Sequence, residues 1–230
     1  AGDTDFGEGL QIFEGAGHTI THNQIVHNGT FAGIDSYSAS NNTFADNEVV
    51  DNNILQEGSG HLAPKVQQDI GIWVLNLNSG DPSGATNNTV RANQVINNGL
   101  DGVQVARYAN GNRVLDNEVF HNGFGQVKGI RDGDGVADFG NMNLVHGNTS
   151  VFNAANGVRV VFSKSSSTGL VVGGQDNTIT GNRAFANGTG INSAGSAFDL
   201  TDTNVSPPCD ANTWSANLFI TINQPCVASH

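Results

Sequence analysis

Two hundred and thirty residues with a net charge of −12 offer no basic surface that could neutralise phosphates, so nucleic acid is excluded as the default partner. Only 37% of residues are apolar and 13% charged, too little apolar surface for a thick globular core and too little charge for a disordered chain. Gly, Asn, Ser and Thr fill the deficit, which suits a chain that turns every few residues around a narrow core. No apolar run approaches the roughly 18 residues of a membrane span.

The first element is a short strand, Gly9-Leu10-Gln11-Ile12. From His18 onward the chain repeats N-x-φ-x-x-N-x-φ-φ-x-N-G/N, where φ is apolar, as in NNTVRANQVINNG and NGNRVLDNEVFHNG. The central position is Asn23, Asn47, Asn93, Asn117, Asn148, Asn182 and Asn217. Five residues earlier stand His18, Asn42, Asn88, Asn112, Asn143, Asn177 and Asn212. Five residues later stand Asn28, Asn52, Asn98, Asn122, Asn153 and Asn187, with Ile222 breaking the last series.

The spacing gives each unit two strands of about three to five residues with alternating apolar positions. Asn tolerates a left-handed backbone and is expected to form each corner itself, its amide bonding to the Asn stacked above and below. A third strand, opened by Gly, follows in most units: Gly33-Ile34-Asp35, Gly71-Ile72-Trp73-Val74, Gly102-Val103-Gln104-Val105 and Gly157-Val158-Arg159-Val160. Three strands per turn, repeated about seven times, predict an all-β parallel solenoid roughly 34 Å long.

The anchor intervals of 24, 46, 24, 31, 34 and 35 residues place insertions at 54–69, 125–140, 163–175 and 188–208. The whole of 1–230 reads as one domain, with coils over 9–208 and a cap over 209–230. Cys209 and Cys226 lie beside no zinc-type ligand spacing and are expected to form a disulfide, worth about 3 kcal/mol by loop entropy, in an oxidising compartment. No helix offers itself as an N-terminal cap. Either the chain is a piece of a longer protein, or another subunit covers that end, as in a homo-oligomer.

The repeat resembles the pectin-lyase-like superfamily of right-handed parallel β-helices over residues 9–222, and is most similar to bacterial parallel β-helix repeat proteins related to alginate C5-epimerase modules. The Y-G-F-D-P-H-E type segment of those epimerases is absent; Asp138-Phe139-Gly140 shares only scattered letters with it. The resemblance implies a secreted or cell-surface protein with an extracellular polysaccharide as partner. Its expected activity is that of a lyase or epimerase acting on a uronate polymer in a groove along one face. The alternative is a non-catalytic carbohydrate-binding or adhesin-like module.

Uronate chemistry needs a group that neutralises the carboxylate, a base for the α-proton, and a proton donor. The third strand carries an outward column of Gln11, Asp35, Trp73, Gln104, Arg131 and Arg159, with Tyr37 and the pair Arg107-Tyr108 slightly further along. The first insertion adds His61 and Lys65. Asp35, Tyr37, His61, Lys65, Arg107 and Arg131 are the catalytic candidates; Trp73, Gln104, Tyr108 and Arg159 are the candidates for holding sugar. Against this stands a solvated sheet face with ordinary cross-strand pairs. Asp132, Asp134 and Asp138 have the D-x-D-G-x-x-D spacing of some calcium loops and are candidate Ca²⁺ ligands.

Overall fold

The computed structural model describes residues 7–28, 31–52, 70–76, 84–124, 133–164, 169, 171–189, 197–204, 208–209 and 211–228. Three parallel sheets run the length of the chain. The first face stacks seven strands from Thr19–Thr21 to Thr213–Ser215, and the second face six from Gln24–Val26 to Arg183–Phe185. The third face stacks Leu10–Phe13, Ala32–Tyr37, Ile70–Leu75, Val103–Val105, Val136–Asp138, Val158–Val160 and Leu200–Asp202. The result is a parallel β-helix with a narrow core, to which each strand of the first two faces gives one inward residue and most strands of the third face give two. Phe44, Val90, Val114, Val145 and Ile179 fill it from the first face, Val49, Val95 and Val119 from the second, and Ile34, Ile72 and Val103 from the third.

The asparagine ladders hold the coils in register. In the central ladder, Asn117 Oδ1 accepts from both the backbone N–H (3.0 Å) and the side-chain amide (2.9 Å) of Asn93. Its own amide donates to Val90 O (3.0 Å) and Asn148 Oδ1 (2.9 Å). Every polar atom of a fully buried side chain is thereby matched, which is what makes a buried polar column tolerable. The expectation that Asn forms the corner itself is corrected here. The residue before each ladder Asn takes the positive φ: His22 (59°), Asp46 (55°), Ala92 (52°), Asp116 (52°) and Gly147 (68°) precede Asn23, Asn47, Asn93, Asn117 and Asn148. The corner residue is turned by its backbone, and the next side chain is thereby aimed inward at the ladder.

The glycines opening the third strands have a packing cause. A Cβ on Gly102 would clash with Val119 Cγ1 and stand 2.8 Å from both Asn122 Nδ2 and Gly135 O; Gly33 and Gly71 face the same three kinds of neighbour. Only glycine lets this strand approach the third ladder. Gly102→Ala is expected to lose about 2–3 kcal/mol, read as a lower denaturant midpoint at unchanged slope.

The third ladder ends differently from the other two. Asp199, not residue 222, accepts from Asn187 N (3.2 Å) and Asn187 Nδ2 (3.0 Å), while its second oxygen takes the N–H groups of Ile220 and Thr221. The strands Val136–Asp138 and Leu200–Asp202 lie inside stretches expected to be insertions, so the coil continues through both. The stretch 163–175 instead contains an antiparallel pair, Ser163–Lys164 with Val171–Gly173. Cys209 and Cys226 form the expected disulfide, with Cα atoms 6.1 Å apart, beside the 3-10 turn Pro225–Ala228. Trp214 closes the core at this end and donates from Nε1 to Asp202 (3.1 Å).

Candidate functional site

The third face presents an outward column in strict register: Gln11, Asp35, Trp73, Gln104, Ala137, Arg159 and Thr201. Five of the six residues expected in that column are there. The fifth-coil position belongs to Ala137, because Gly135-Val136 supplies the glycine-apolar start that sets the register, and Arg131 lies outside the described residues. His61, Lys65 and Asp132 lie outside them as well.

Asp35 is the most unusual group on this face. Its strand is flanked by Leu10–Phe13 and Ile70–Leu75, and the carboxyl is fully buried. Gln11 Nε2 donates to Oδ2 at 3.1 Å, and Oδ1 has no hydrogen-bond partner. Loss of hydration pushes its pKa up to about 7, opposed by the Gln11 hydrogen bond and aided by Glu8. Tyr37, two residues on, faces the same way, roughly 7 Å along the strand. Its phenol is raised above its ordinary value by burial, then by the Asp35 and Glu14 charges. Tyr37 stacks on Phe13 with ring centroids 5.0 Å apart.

An apolar layer sits over the same face, made of Phe31, Ala32, Ile70, Trp73, Leu75, Leu100 and Ala106, with Tyr37 packed against it. Trp73 is 6% exposed, tilts against Phe31 at 5.0 Å, and leaves Nε1 without a hydrogen-bond partner. This is not a solvated sheet face. Gln11 and Phe13 are exposed and, with Ile12, Gly15, His18, Thr19 and Ile20, line a depression of about 510 Å³ at the first coil; Asp35 is not part of its lining.

The remaining candidates lie elsewhere. Gln104 donates to Asp101 at 2.7 Å. Arg107 is exposed beyond the fourth strand, and Tyr108 is half-buried at a corner with φ 63°. Arg159 stands four coils from Asp35, roughly 19 Å along the axis. It pairs with Asp134 and lies over the Phe139 ring at 5.6 Å. Asp134 Oδ1 also accepts the backbone N–H and side-chain amide of Asn156 at 2.9 and 2.8 Å. Asp138 points the opposite way, in the inward register of Val105 and Val160, where it accepts from Gly140 N and Asn143 Nδ2. Asp134 and Asp138 therefore face different sides of the sheet. No group of three His, Cys, Asp or Glu side chains gathers among the described residues. No helix among them is long and apolar enough to cross a membrane.

The family model for a right handed beta helix region matches residues 4–167. The chain belongs to the right-handed β-helix family. No curated protein matches its sequence. Among solved structures, this β-helix is similar to a double mutant of the periplasmic alginate epimerase AlgG (TM-score 0.55, 16% identity, 94% of this chain). It is also similar to an alginate lyase from Paenibacillus sp. str. FPU-7 (TM-score 0.56, 13% identity, 98% of this chain and 81% of the lyase). The β-helix spans about half, 48%, of the epimerase's length. Identities this low establish the shared fold.

Beyond the column, sequence reasoning missed Phe13, Phe31 and Phe139, the rings packed on Tyr37, Trp73 and Arg159. Phe13 was within reach, because it lies two residues beyond Gln11 on the alternating strand. Phe31 and Phe139 flank strands irregularly and give no periodic signal.

Proposed function

We propose that the third face around Asp35 is the active face of an enzyme acting on a uronate-containing polysaccharide, by β-elimination or C5 epimerisation, in an extracellular or periplasmic setting. The observation that carries this reading is a fully buried carboxyl, poised near neutrality, between an amide donor and a tyrosine on an outward sheet face. Structural framework rarely requires that arrangement, whereas proton transfer at a sugar carbon does. The likeness to an alginate epimerase and an alginate lyase supports it at the level of fold.

In this reading Asp35, deprotonated above about pH 7, removes the C5 proton, and Gln11 keeps its carboxylate oriented. Tyr37 donates a proton to the leaving oxygen or to the opposite ring face. Phe13 and Trp73 supply apolar walls. The cation that neutralises the uronate carboxylate comes from His61, Lys65 or Arg131 in this proposal, because the described Arg107 and Arg159 stand at least two coils away. A Ca²⁺ ion is the alternative source of that charge, and assays are run with and without it.

Incubation with alginate, polygalacturonate and other polyuronates, followed at 232 nm, detects the unsaturated product of β-elimination. Activity is expected to rise with pH through about 7 as Asp35 loses its proton. Asp35→Asn is expected to reduce turnover at least about 100-fold with the melting temperature retained. Equal rates for the two proteins would sink the assignment of Asp35. Binding without turnover across the whole panel would favour the carbohydrate-binding module instead.

A further inference from the structure

The second face carries a feature that the reading of the third face leaves unused. Its outward positions form an in-register apolar column, Val26, Val50, Ile96, Phe120, Val151 and Phe185, rising one coil at a time. The bridge from Arg183 to Leu218 extends the same face toward Ile220. Val26, Phe120, Leu218 and Ile220 are all exposed, the last at 71%. At the corner beside the column, exposed Phe152 meets Phe120 edge-on at 5.5 Å, and Phe124 stacks on His121 at 4.2 Å.

Over the first four coils polar groups flank this column on both sides. On one side run Gln24, Glu48, Gln94 and Glu118, with Gln24 donating to Glu48 at 2.7 Å. On the other runs a chain of corner residues: His27 faces Asp51 at 3.5 Å, Asn97 donates to Asp51 at 2.7 Å, and His121 meets Asn97 at 3.1 Å. An apolar strip between two hydrogen-bonding margins is the complement of a pyranose ring, which has C–H faces and hydroxyl edges. The rise of about 4.8 Å per coil is close to the length of one sugar unit in an extended chain.

We propose that this second face binds an uncharged, extended polysaccharide strand laid along the helix axis. Two arguments select that occupant. The strip is about 34 Å long and 10 Å wide, so its footprint is well under the roughly 800 Å² per partner that a stable protein dimer buries. Among the described residues, Glu48, Asp51 and Glu118 line its margins against the single cation Arg183, so a polyuronate is repelled and a neutral glycan is not. A carbohydrate-active protein with such a strip is held on a neutral matrix while a different face works.

Affinity electrophoresis through gels containing hydroxyethyl cellulose, xyloglucan or galactomannan, with polygalacturonate as the charged control, tests this on the full chain. Retardation by at least one neutral polymer and none by polygalacturonate through this face is expected. Phe120→Ala combined with Phe152→Ala should weaken it about tenfold or more with an unchanged melting curve, both rings being exposed. Asp35→Asn should leave it unchanged, which separates this surface from the third face. No retardation by any neutral polymer, or retardation that survives the double substitution, overturns the proposal. Concentration-dependent dimerisation abolished by the same substitutions would do so too, by giving the strip to a second copy.

Discussion

Asn117→Ala is expected to destabilise the protein by about 4 kcal/mol or more. Four hydrogen bonds vanish together; the N–H and one amide hydrogen of Asn93 and Val90 O lose this partner, while Asn148 Oδ1 keeps the backbone N–H of residue 117. Asn93 and Val90 are buried, so each group left unmatched costs about 1–3 kcal/mol of desolvation. Chemical denaturation at fixed pH measures the loss. A change below about 1 kcal/mol would mean that the ladder contributes register and not stability.

The second large effect is a dependence of stability on pH that runs against the usual carboxylate pattern. Asp138 is fully buried among core valines, its Oδ1 satisfied by Gly140 and Asn143 and its Oδ2 without a hydrogen-bond partner. Burial, opposed by those two hydrogen bonds and aided by the Asp202 charge, pushes its pKa up to about 7 from 3.8. Between those values the folded protein holds a proton that the unfolded chain has released. Stability is therefore highest toward the acid end of that window and falls as pH rises to about 7. Asp35 adds to the same slope. Asp138→Asn keeps the two accepted hydrogen bonds without the buried charge. It is expected to raise stability at pH 8 by about 2–4 kcal/mol and to change it little at pH 4. Thermal melts of both proteins at the two values check this; equal stabilisation at each pH would contradict it.

Much of this architecture was legible because a coil repeats its contacts. A side chain that must hydrogen-bond to its own copy above and below has no substitute but itself, so the three Asn series mark the ladders directly. Alternation around them separates Val119 in the core from Glu118 and Phe120 outside. What escaped the sequence depends on backbone direction or on a single coil. The positive φ at Ala92 and Asp116 belongs to the residue before the Asn, and no composition rule marks alanine for that conformation. Asp138 reads as a calcium-loop acid from its spacing to Asp134, yet Gly135 sets a strand register that turns it into the core. Asp199 closes the third ladder as an Asn would, from a stretch whose length disguised it as an insertion.

The candidate site was legible in part for the same reason. Once the outward parity of the third strand is known, Gln11, Asp35 and Trp73 follow from it. The burial of Asp35 does not, because parity alone does not show that its neighbour Trp73 is packed into an apolar layer with Phe31, Leu75 and Leu100. Burial is what converts an outward aspartate into a group pushed up to about 7.

Both β-elimination and C5 epimerisation remove the proton from C5 of the uronate, so one measurement covers both. Proton NMR of a polyuronate incubated with the protein in D2O follows that hydrogen directly. Loss of the C5–H signal with the native protein, and its retention with Asp35→Asn, is the result this account predicts. Retention of the signal with the native protein across the polyuronate panel, or its equal loss with the variant, would contradict it.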